Sequence, residues 1–155
     1  MFLKNFINKT KPNPGMKTWV HASFSLLLAA VLYPIFNWEV SFILIGGVLI
    51  DADHYLWYIL KHGNFNLQDC YRHFTTDAEK ANYKYFAGEV LVFHTAEFFA
   101  IMLALSFYSQ MIMLFTIGLA GHYLLDFIWF FFILKRFILN HSILWKLLKL
   151  KIQKV

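Results

Sequence analysis

Eight ionisable side chains of metal-ligating types lie within or at the ends of the most apolar stretches of this chain. They are His21, Asp51, Asp53, His54, His94, Glu97, His122 and Asp126. Ionisable groups are costly to bury in such stretches, and they usually mark a functional site there. Imidazole and carboxylate groups together form the ligand set of zinc, manganese or iron. The residue types therefore indicate a metal centre and a candidate metalloenzyme.

The spacing of these residues matches helical turns. The pairs are Asp51 and His54, His94 and Glu97, and His122 and Asp126. Residues three or four apart share one helical face, so both members of a pair can reach one ion or two adjacent ions. Asp53 cannot share the face of Asp51 on a regular helix. It would bind a second ion if the helix breaks near Gly46-Gly47, or it would orient a ligand imidazole.

This pattern predicts a set of metal ligands and a smaller set of candidate bases. The predicted ligands are His21, Asp51, His54, His94, His122 and Asp126. The predicted catalytic residues are Glu97 and Asp53, with Asp51 as a further candidate for the general base if it is not a ligand. The ligands outnumber what one zinc ion needs, so one or two divalent ions are expected, most simply zinc. Two ions would suit phosphoester hydrolysis.

Composition places these residues in a membrane protein. Of the 155 residues, 59% are hydrophobic and only 15% are charged, whereas a soluble domain has about 25% charged residues. The net charge of +5 is better explained by a membrane surface than by nucleic acid, because the basic residues flank the apolar stretches. The single cysteine, Cys70, cannot form an internal disulfide or a thiolate metal site, and we expect an inert thiol.

Four apolar stretches are each long enough to cross a bilayer, which takes about 20 residues. They run from Trp19 to about Phe36, Val40 to about Leu60, Glu89 to about Tyr108, and Met111 to about Leu134. No cleavage site follows the first stretch, so it is interpreted as a retained helix rather than a signal peptide. The sequence predicts a single all-α domain over residues 1–155, with a transmembrane bundle of four helices at 19–134 and tight hairpin connections at 37–39 and 109–110.

The polar segments set the predicted orientation. All 14 Lys and Arg residues fall in segment 1–18, loop 61–88 or tail 135–155. The positive-inside rule then places both termini and the loop in the cytoplasm, in a multi-pass inner (cytoplasmic) membrane protein. The tail is predicted to be an amphipathic helix on the lipid surface. At a rise of ~1.5 Å per residue, the ligand types lie ~5–20 Å below the cytoplasmic boundary, which favours one site.

The motifs resemble those of the predicted membrane-bound metal-dependent hydrolases of the YdjM-like type. The resemblance covers roughly residues 19–130 and is carried by His21, the block Gly46–His54, Phe93-His94-Thr95, and the block Gly121–Asp126. The third block departs from the family, which tends to have His-Arg-Gly upstream of Thr-His-Ser. The late His-x-x-x-Asp motif is also similar to one in zinc-dependent phospholipase C and P1-type nucleases. These resemblances imply metal-dependent hydrolysis of a phosphoester.

The predicted function is therefore a membrane-embedded hydrolase that uses metal-activated water on a phospholipid or another small amphiphilic phosphoester. The partners would be membrane lipid and this substrate, with no nucleic acid. The headgroup of the substrate is expected near Lys61, Arg72 or Lys84. The outlying histidines are expected to be solvated or to contact headgroups, and they are His62, His73 and His141.

Two alternatives stay open at this point. One is a non-enzymatic membrane protein with a structural metal site. The other is a polar layer that conducts ions or protons. A di-iron lipid oxidase is disfavoured because the chain has no His-x-x-His-His box.

Overall fold

The computed structural model describes residues 17–77, 91–133 and 142, and this part of the chain is helical throughout, joined by turns and without strands. The prediction of an all-α chain is thereby confirmed. Segment 1–16, the loop residues 78–90 with Lys84, and the predicted amphipathic tail with His141 lie outside the described residues, except for Ser142.

The first two helices form a hairpin. Helix α1 spans Thr18–Phe36, the 3₁₀ turn Asn37–Val40 follows, and α2 spans Ser41–Val48. Asn37 has a φ of 50°, which is in the left-handed region that asparagine tolerates better than most residues. The chain reverses there, and α2 packs back against α1. This agrees with the predicted tight connection at 37–39.

The predicted second span is not one continuous helix. A 3₁₀ turn at Leu49–Asp51 separates α2 from α3, which spans Ala52–His62. The backbone departs from helical angles at Val48, whose φ and ψ are −129° and −49°. Gly46-Gly47 precedes this point, and glycine costs about 1 kcal/mol relative to alanine within a helix. The break lies just after these glycines. It meets the condition under which Asp53 was predicted to be able to bind a second ion.

The predicted third span is also shorter as a helix. A 3₁₀ turn at Val92–His94 comes first, and α5 then spans Ala96–Leu105. Thr95 has an extended conformation, and its hydroxyl accepts a hydrogen bond from the backbone N–H of Phe98 at 3.2 Å. This is an N-cap, and it fixes the start of the helix at Ala96. A continuous helix from Glu89 is therefore wrong, and His94 lies in the turn before α5.

The last long helix, α6, spans Gln110–Ile128 and continues as a π-helical turn over Trp129–Ile133. It forms the most extensive helix contact of the described residues, with α2, and it also packs on α1 and α5. An apolar cluster lies between α1, α2 and α6, and it comprises Ala29, Val40, Ile43 and Leu114. The metal-ligand types lie beyond this cluster, toward the break after α2.

Glycines allow α2 and α6 to approach very closely. A Cβ atom added to Gly46 would lie 2.0 Å from the backbone oxygen of Phe115, and one added to Gly118 would lie 2.2 Å from that of Ile43. A Cβ at Gly47 would clash with Ser25 of α1. Small residues at such crossings are characteristic of membrane helix packing. The contact sets the distance between the break after α2 and the polar end of α6.

The predicted loop contains a short helix, α4, over Leu67–Arg72, which the Asn66 side chain caps. A π-helical turn over His73–Asp77 follows it. Cys70 on α4 is 4% exposed, and burial raises the pKa of its thiol to about 11. The thiol therefore stays protonated near neutral pH, which agrees with an inert cysteine.

By length and composition, two helical stretches are able to cross a membrane. They are the bent stretch Thr18–His62 and the straight helix Gln110–Ile128. Helix α5 is apolar but has only 10 residues.

Candidate metal centre

The six predicted metal ligands converge from five elements at the break after α2. His21 comes from α1, Asp51 from the 3₁₀ turn, His54 from α3, His94 from the turn before α5, and His122 and Asp126 from α6. Their ligand atoms fall into two groups of three, and within each group all atoms lie within 4.8 Å of one another. The prediction that distant motifs form one polar layer agrees with this geometry.

The first group, which we call site A, comprises His21, His122 and Asp126. His21 Nε2 lies 3.4 Å from Asp126 Oδ1, and His122 Nε2 lies 3.3 Å from Asp126 Oδ2. The two imidazole rings are stacked with centroids 3.8 Å apart. Both histidines are buried, and His122 is only 1% exposed. Site A therefore lies inside the α1–α6 packing, with one oxygen of Asp126 near each imidazole.

The second group, site B, comprises Asp51, His54 and His94. Asp51 Oδ1 lies 3.6 Å from His54 Nδ1 and 3.4 Å from His94 Nε2. The side chains of Asp51 and His54 are 24% and 22% exposed, against 7% for His94. Site B is thus the more open of the two groups.

Asp51 and the two central histidines connect the sites. Asp51 Oδ1 is 3.5 Å from His122 Nε2, and His94 Nε2 is 3.3 Å from His122 Nε2. The six side chains therefore form one continuous cluster rather than two separate ones.

Asp53 holds His94 in place. Asp53 Oδ2 lies 3.1 Å from His94 Nδ1 and also accepts the backbone N–H of Phe93 at 3.0 Å. A carboxylate only accepts, so His94 Nδ1 carries a proton and the neutral ring presents a lone pair at Nε2. Carboxylates commonly orient metal-binding histidines in this way. This contact matches the predicted orienting role of Asp53.

The backbone of α2 orients His122, as Asp53 orients His94. The Nδ1 atom of His122 donates to the carbonyl oxygen of Gly47 at 2.9 Å. Carbonyls at the C-terminal end of a helix lack intrahelical partners, so the end of α2 supplies a ready acceptor. His122 is thereby fixed as the tautomer that presents its Nε2 lone pair to the cluster.

The centre of the cluster suits a cation. In the neutral rings, the Nε2 lone pairs of His94 and His122 face each other and Asp51 Oδ1 at separations of 3.3, 3.4 and 3.5 Å. Three electron-rich atoms repel one another unless a metal ion or a proton lies between them. A tetrahedral zinc with bonds of ~2.0–2.1 Å separates its ligand atoms by roughly 3.3–3.4 Å. Buried His54 Nδ1 lies 3.1 Å from Asp53 Oδ1, although neither atom has a hydrogen bond of good geometry among the described residues. The donor set therefore fits a divalent metal.

Tyr123 is a supporting residue that was not among the predicted site residues. Its hydroxyl lies 2.6 Å from the carbonyl oxygen of Phe93 and 3.1 Å from that of Thr95. It can donate to one of the two, and it thereby holds the turn that carries His94 against α6. The available signal was its position directly after His122, where a tyrosine hydroxyl needs a buried partner.

Glu97 does not belong to either group of three. His94 precedes α5 while Glu97 lies in its first turn, so the prediction that both share one helical face is wrong. Glu97 Oε1 instead accepts a hydrogen bond from the Ser142 hydroxyl at 2.5 Å.

Outlying loop residues flank site B. Phe74 lies edge-on against His54 with ring centroids 4.7 Å apart, and His73 stacks on Trp57 at 5.8 Å. Lys61 lies over the Trp57 ring, 4.3 Å from its centroid. Arg72 is exposed at the end of α4. The described part of the predicted loop therefore packs beside site B with aromatic and basic side chains.

Neither protein-family models, nor curated proteins, nor solved structures give a match to this chain. The resemblance to YdjM-like hydrolases is carried by the motifs quoted above.

Proposed function

We propose that this chain is an integral membrane metal-dependent hydrolase of the YdjM-like type, acting on a phospholipid or a related amphiphilic phosphoester. The observation that supports it best is the convergence of Asp51, His94 and His122, whose donor atoms lie 3.3–3.5 Å apart with the outer nitrogens of both rings already bonded. Preoriented imidazoles and an open side are typical of catalytic rather than purely structural metal sites.

The proposed membrane placement extends the two candidate spans to a bundle of four. Exposed side chains of α1 are largely apolar, including Leu26, Leu27, Val31 and Ile35. A soluble helix would bury such residues and present polar ones to solvent. Trp38 and Tyr108, near the ends of the two hairpins, are both exposed, as expected for aromatic residues at a bilayer interface. Helix α5 and the α2–α3 stretch would complete the bundle in an inner membrane. Both termini would lie on the cytoplasmic side.

The chain's own residues have distinct parts in the proposed chemistry. The six ligands would hold one or two divalent ions, most simply zinc, which would activate water and stabilise the leaving oxygen of a phosphoester. Asp53 and the Gly47 carbonyl orient His94 and His122. Asp53 contacts His94 and Glu97 accepts a hydrogen bond from Ser142, so both carboxylates stay the proposed candidates for the general base. The partial exposure of Asp51 and His54 gives the substrate access at site B.

A phosphoester bound there would meet a basic surface. Lys61 lies in the last turn of α3, which carries His54, and Arg72 ends α4, two residues before the Phe74 that contacts His54. Each basic residue near an anionic lipid surface contributes about 1 kcal/mol of attraction. An anionic headgroup is therefore the proposed ligand of this surface.

The test combines metal analysis with a substrate screen. Purified protein should carry a transition metal, and proteoliposomes should hydrolyse a lipid phosphoester in a chelator-sensitive way. Asp51→Asn keeps the shape of the side chain, removes its charge, and should abolish turnover. Asp69→Asn on α4 is the matched control and should retain it.

Two results would contradict the proposal. Absence of bound metal, with none taken up on reconstitution, would indicate that protons rather than metal ions occupy the cluster, as in a proton-conducting layer. Bound metal without activity on any lipid phosphoester would favour a structural metal site.

A further inference from the structure

We propose that the centre binds two ions in order, the first at site A (His21, His122 and Asp126) and the second at site B (Asp51, His54 and His94), with Asp51 able to bridge them. This inference rests on the proposed metal dependence, and it adds the number of ions, the ligands of each, and the sequence of loading.

The supply of donors exceeds what one ion can take. A tetrahedral zinc takes four ligands at most, and the other nitrogens of His94 and His122 are already hydrogen-bonded. One ion held by Asp51, His54, His94 and His122 would leave His21 and Asp126 without a role. Nδ1 of His21 is buried and has no hydrogen-bond partner among the described residues. Division into two groups uses all six donors and leaves each ion an open position.

Asp51 lies beside one histidine of each group, where a bridging ligand would be placed. Asp51 Oδ1 lies 3.4 Å from His94 Nε2 in site B and 3.5 Å from His122 Nε2 in site A. Two-metal hydrolytic sites hold their ions about 3.5–4 Å apart. A carboxylate at this position reaches both ions, so Asp51 couples the two binding events.

The two sites differ in how well they are formed in advance. Site A is built on the regular helices α1 and α6, and its histidines are 4% and 1% exposed, while the side chain of Asp126 is 25% exposed. Site B is built on the 3₁₀ turn after α2, the first turn of α3 and the 3₁₀ turn before α5. Ligands held by packed helices lose less conformational freedom on binding than ligands in turns. Site A should therefore bind its ion more tightly, and site B should hold the ion that is more open to substrate.

Metal-depleted full-length protein in detergent, titrated with Mn²⁺, tests this assignment. Equilibrium dialysis with elemental analysis should give about two ions per chain in two steps. Electron paramagnetic resonance should show an uncoupled Mn²⁺ spectrum at one equivalent and an exchange-coupled pair at two. This readout does not depend on any enzymatic activity.

Variants separate the two sites. His54→Ala should retain the tight step, lose the weak one, and never show the coupled spectrum. His21→Ala should weaken the tight step by about 10- to 100-fold or more, since even residues that only support a ligand have effects of this size. His62→Ala, which alters an exposed histidine at the end of α3, is the control and should bind like the parent. His21→Gln and helical circular dichroism of every variant distinguish lost ligation from misfolding.

Several outcomes would overturn the inference while leaving the proposed function intact. One ion per chain, with His21→Ala unaffected, would indicate a mononuclear centre. Loss of the tight step in His54→Ala, with retention in His21→Ala, would reverse the order of loading. Two ions that never couple magnetically would remove Asp51 as the bridge. Absence of any Mn²⁺ or Zn²⁺ binding would instead contradict the proposed function itself.

Discussion

At the scale of single residues, the cluster shows how a hydrogen-bond acceptor determines the tautomer of a histidine. His94 and His122 each have two nitrogens, and a bond on the outer nitrogen determines that the inner one carries a lone pair. Asp53 and the Gly47 carbonyl supply these bonds without being part of either group of three. Much of the site's chemistry is therefore set by atoms one step away from the proposed ions.

Asp53→Asn tests this orienting contact. The amide keeps the size of the carboxylate, but it has only one acceptor oxygen and no charge to support the protonated Nδ1 of His94. We expect the affinity for metal to fall by about 10- to 100-fold with the number of ions unchanged. Competition with a chromophoric chelator measures this, and Asp69→Asn provides the control. Loss of one whole ion would show that Asp53 is itself a ligand, and an unchanged affinity would remove its orienting role.

At the scale of secondary-structure elements, the site depends on two interruptions and one close crossing. The 3₁₀ turn after α2 directs Asp51 into the cluster, and the capped start of α5 leaves His94 in a turn beside it. The glycine contact between α2 and α6 then brings Gly47 within hydrogen-bonding distance of His122.

Gly118→Ala tests the close crossing of α2 and α6. The sign of the change in stability distinguishes the effect of helix packing from that of helix propensity. Alanine favours a helix by about 1 kcal/mol over glycine, so a gain in stability is expected if the helices have room. The new Cβ would lie 2.2 Å from the backbone oxygen of Ile43, and overpacking of this kind costs about 1–3 kcal/mol. We expect a net loss, measured as a lower midpoint of thermal unfolding in detergent.

The control for this substitution is Ser23→Ala, at an exposed position of α1, which should leave the midpoint nearly unchanged. Because the crossing also positions Gly47 against His122, metal affinity should fall together with stability in Gly118→Ala. A stabilised Gly118→Ala variant would show that α2 and α6 separate easily and that the crossing does not fix the site.

At the scale of the whole molecule, the distribution of charge and apolar surface predicts how the chain lies in a bilayer. The basic residues of the sequence flank the apolar stretches on one predicted side, and the connection at 37–39 contains none of them. The metal-ligand types would then lie in the cytoplasmic half of the proposed bundle. A substrate would reach them from the inner leaflet.

Reporter fusions test this topology. A fusion at Val155 should report a cytoplasmic location, and a fusion within 37–39 should report the opposite side, because the positive-inside rule retains the basic segments. Adding lysines to the 37–39 connection should weaken or invert the orientation by the same rule. The same location for both fusions would rule out the odd number of spans, three, that is proposed between residue 37 and the C-terminus.

The sequence by itself determined the helical class, the hairpin at 37–39, and the identity of the six residues that converge. Apolar stretches with short connections can form little else, and ionisable side chains within them stand out because burial is costly. His122 and Asp126 also share one face of a regular helix, as their spacing predicts.

Only the tertiary structure decided how these residues are divided and what supports them. The position of the break after α2, the place of His94 before α5, and the partners of Asp53, Tyr123 and Glu97 depend on contacts between distant segments. Helical periodicity describes neighbours three or four residues apart, whereas these contacts join residues 28 to 45 positions apart. These contacts depend on how the helices pack, including the approach of α2 to α6 at Gly46 and Gly118. No local sequence pattern encodes the distance between those helices.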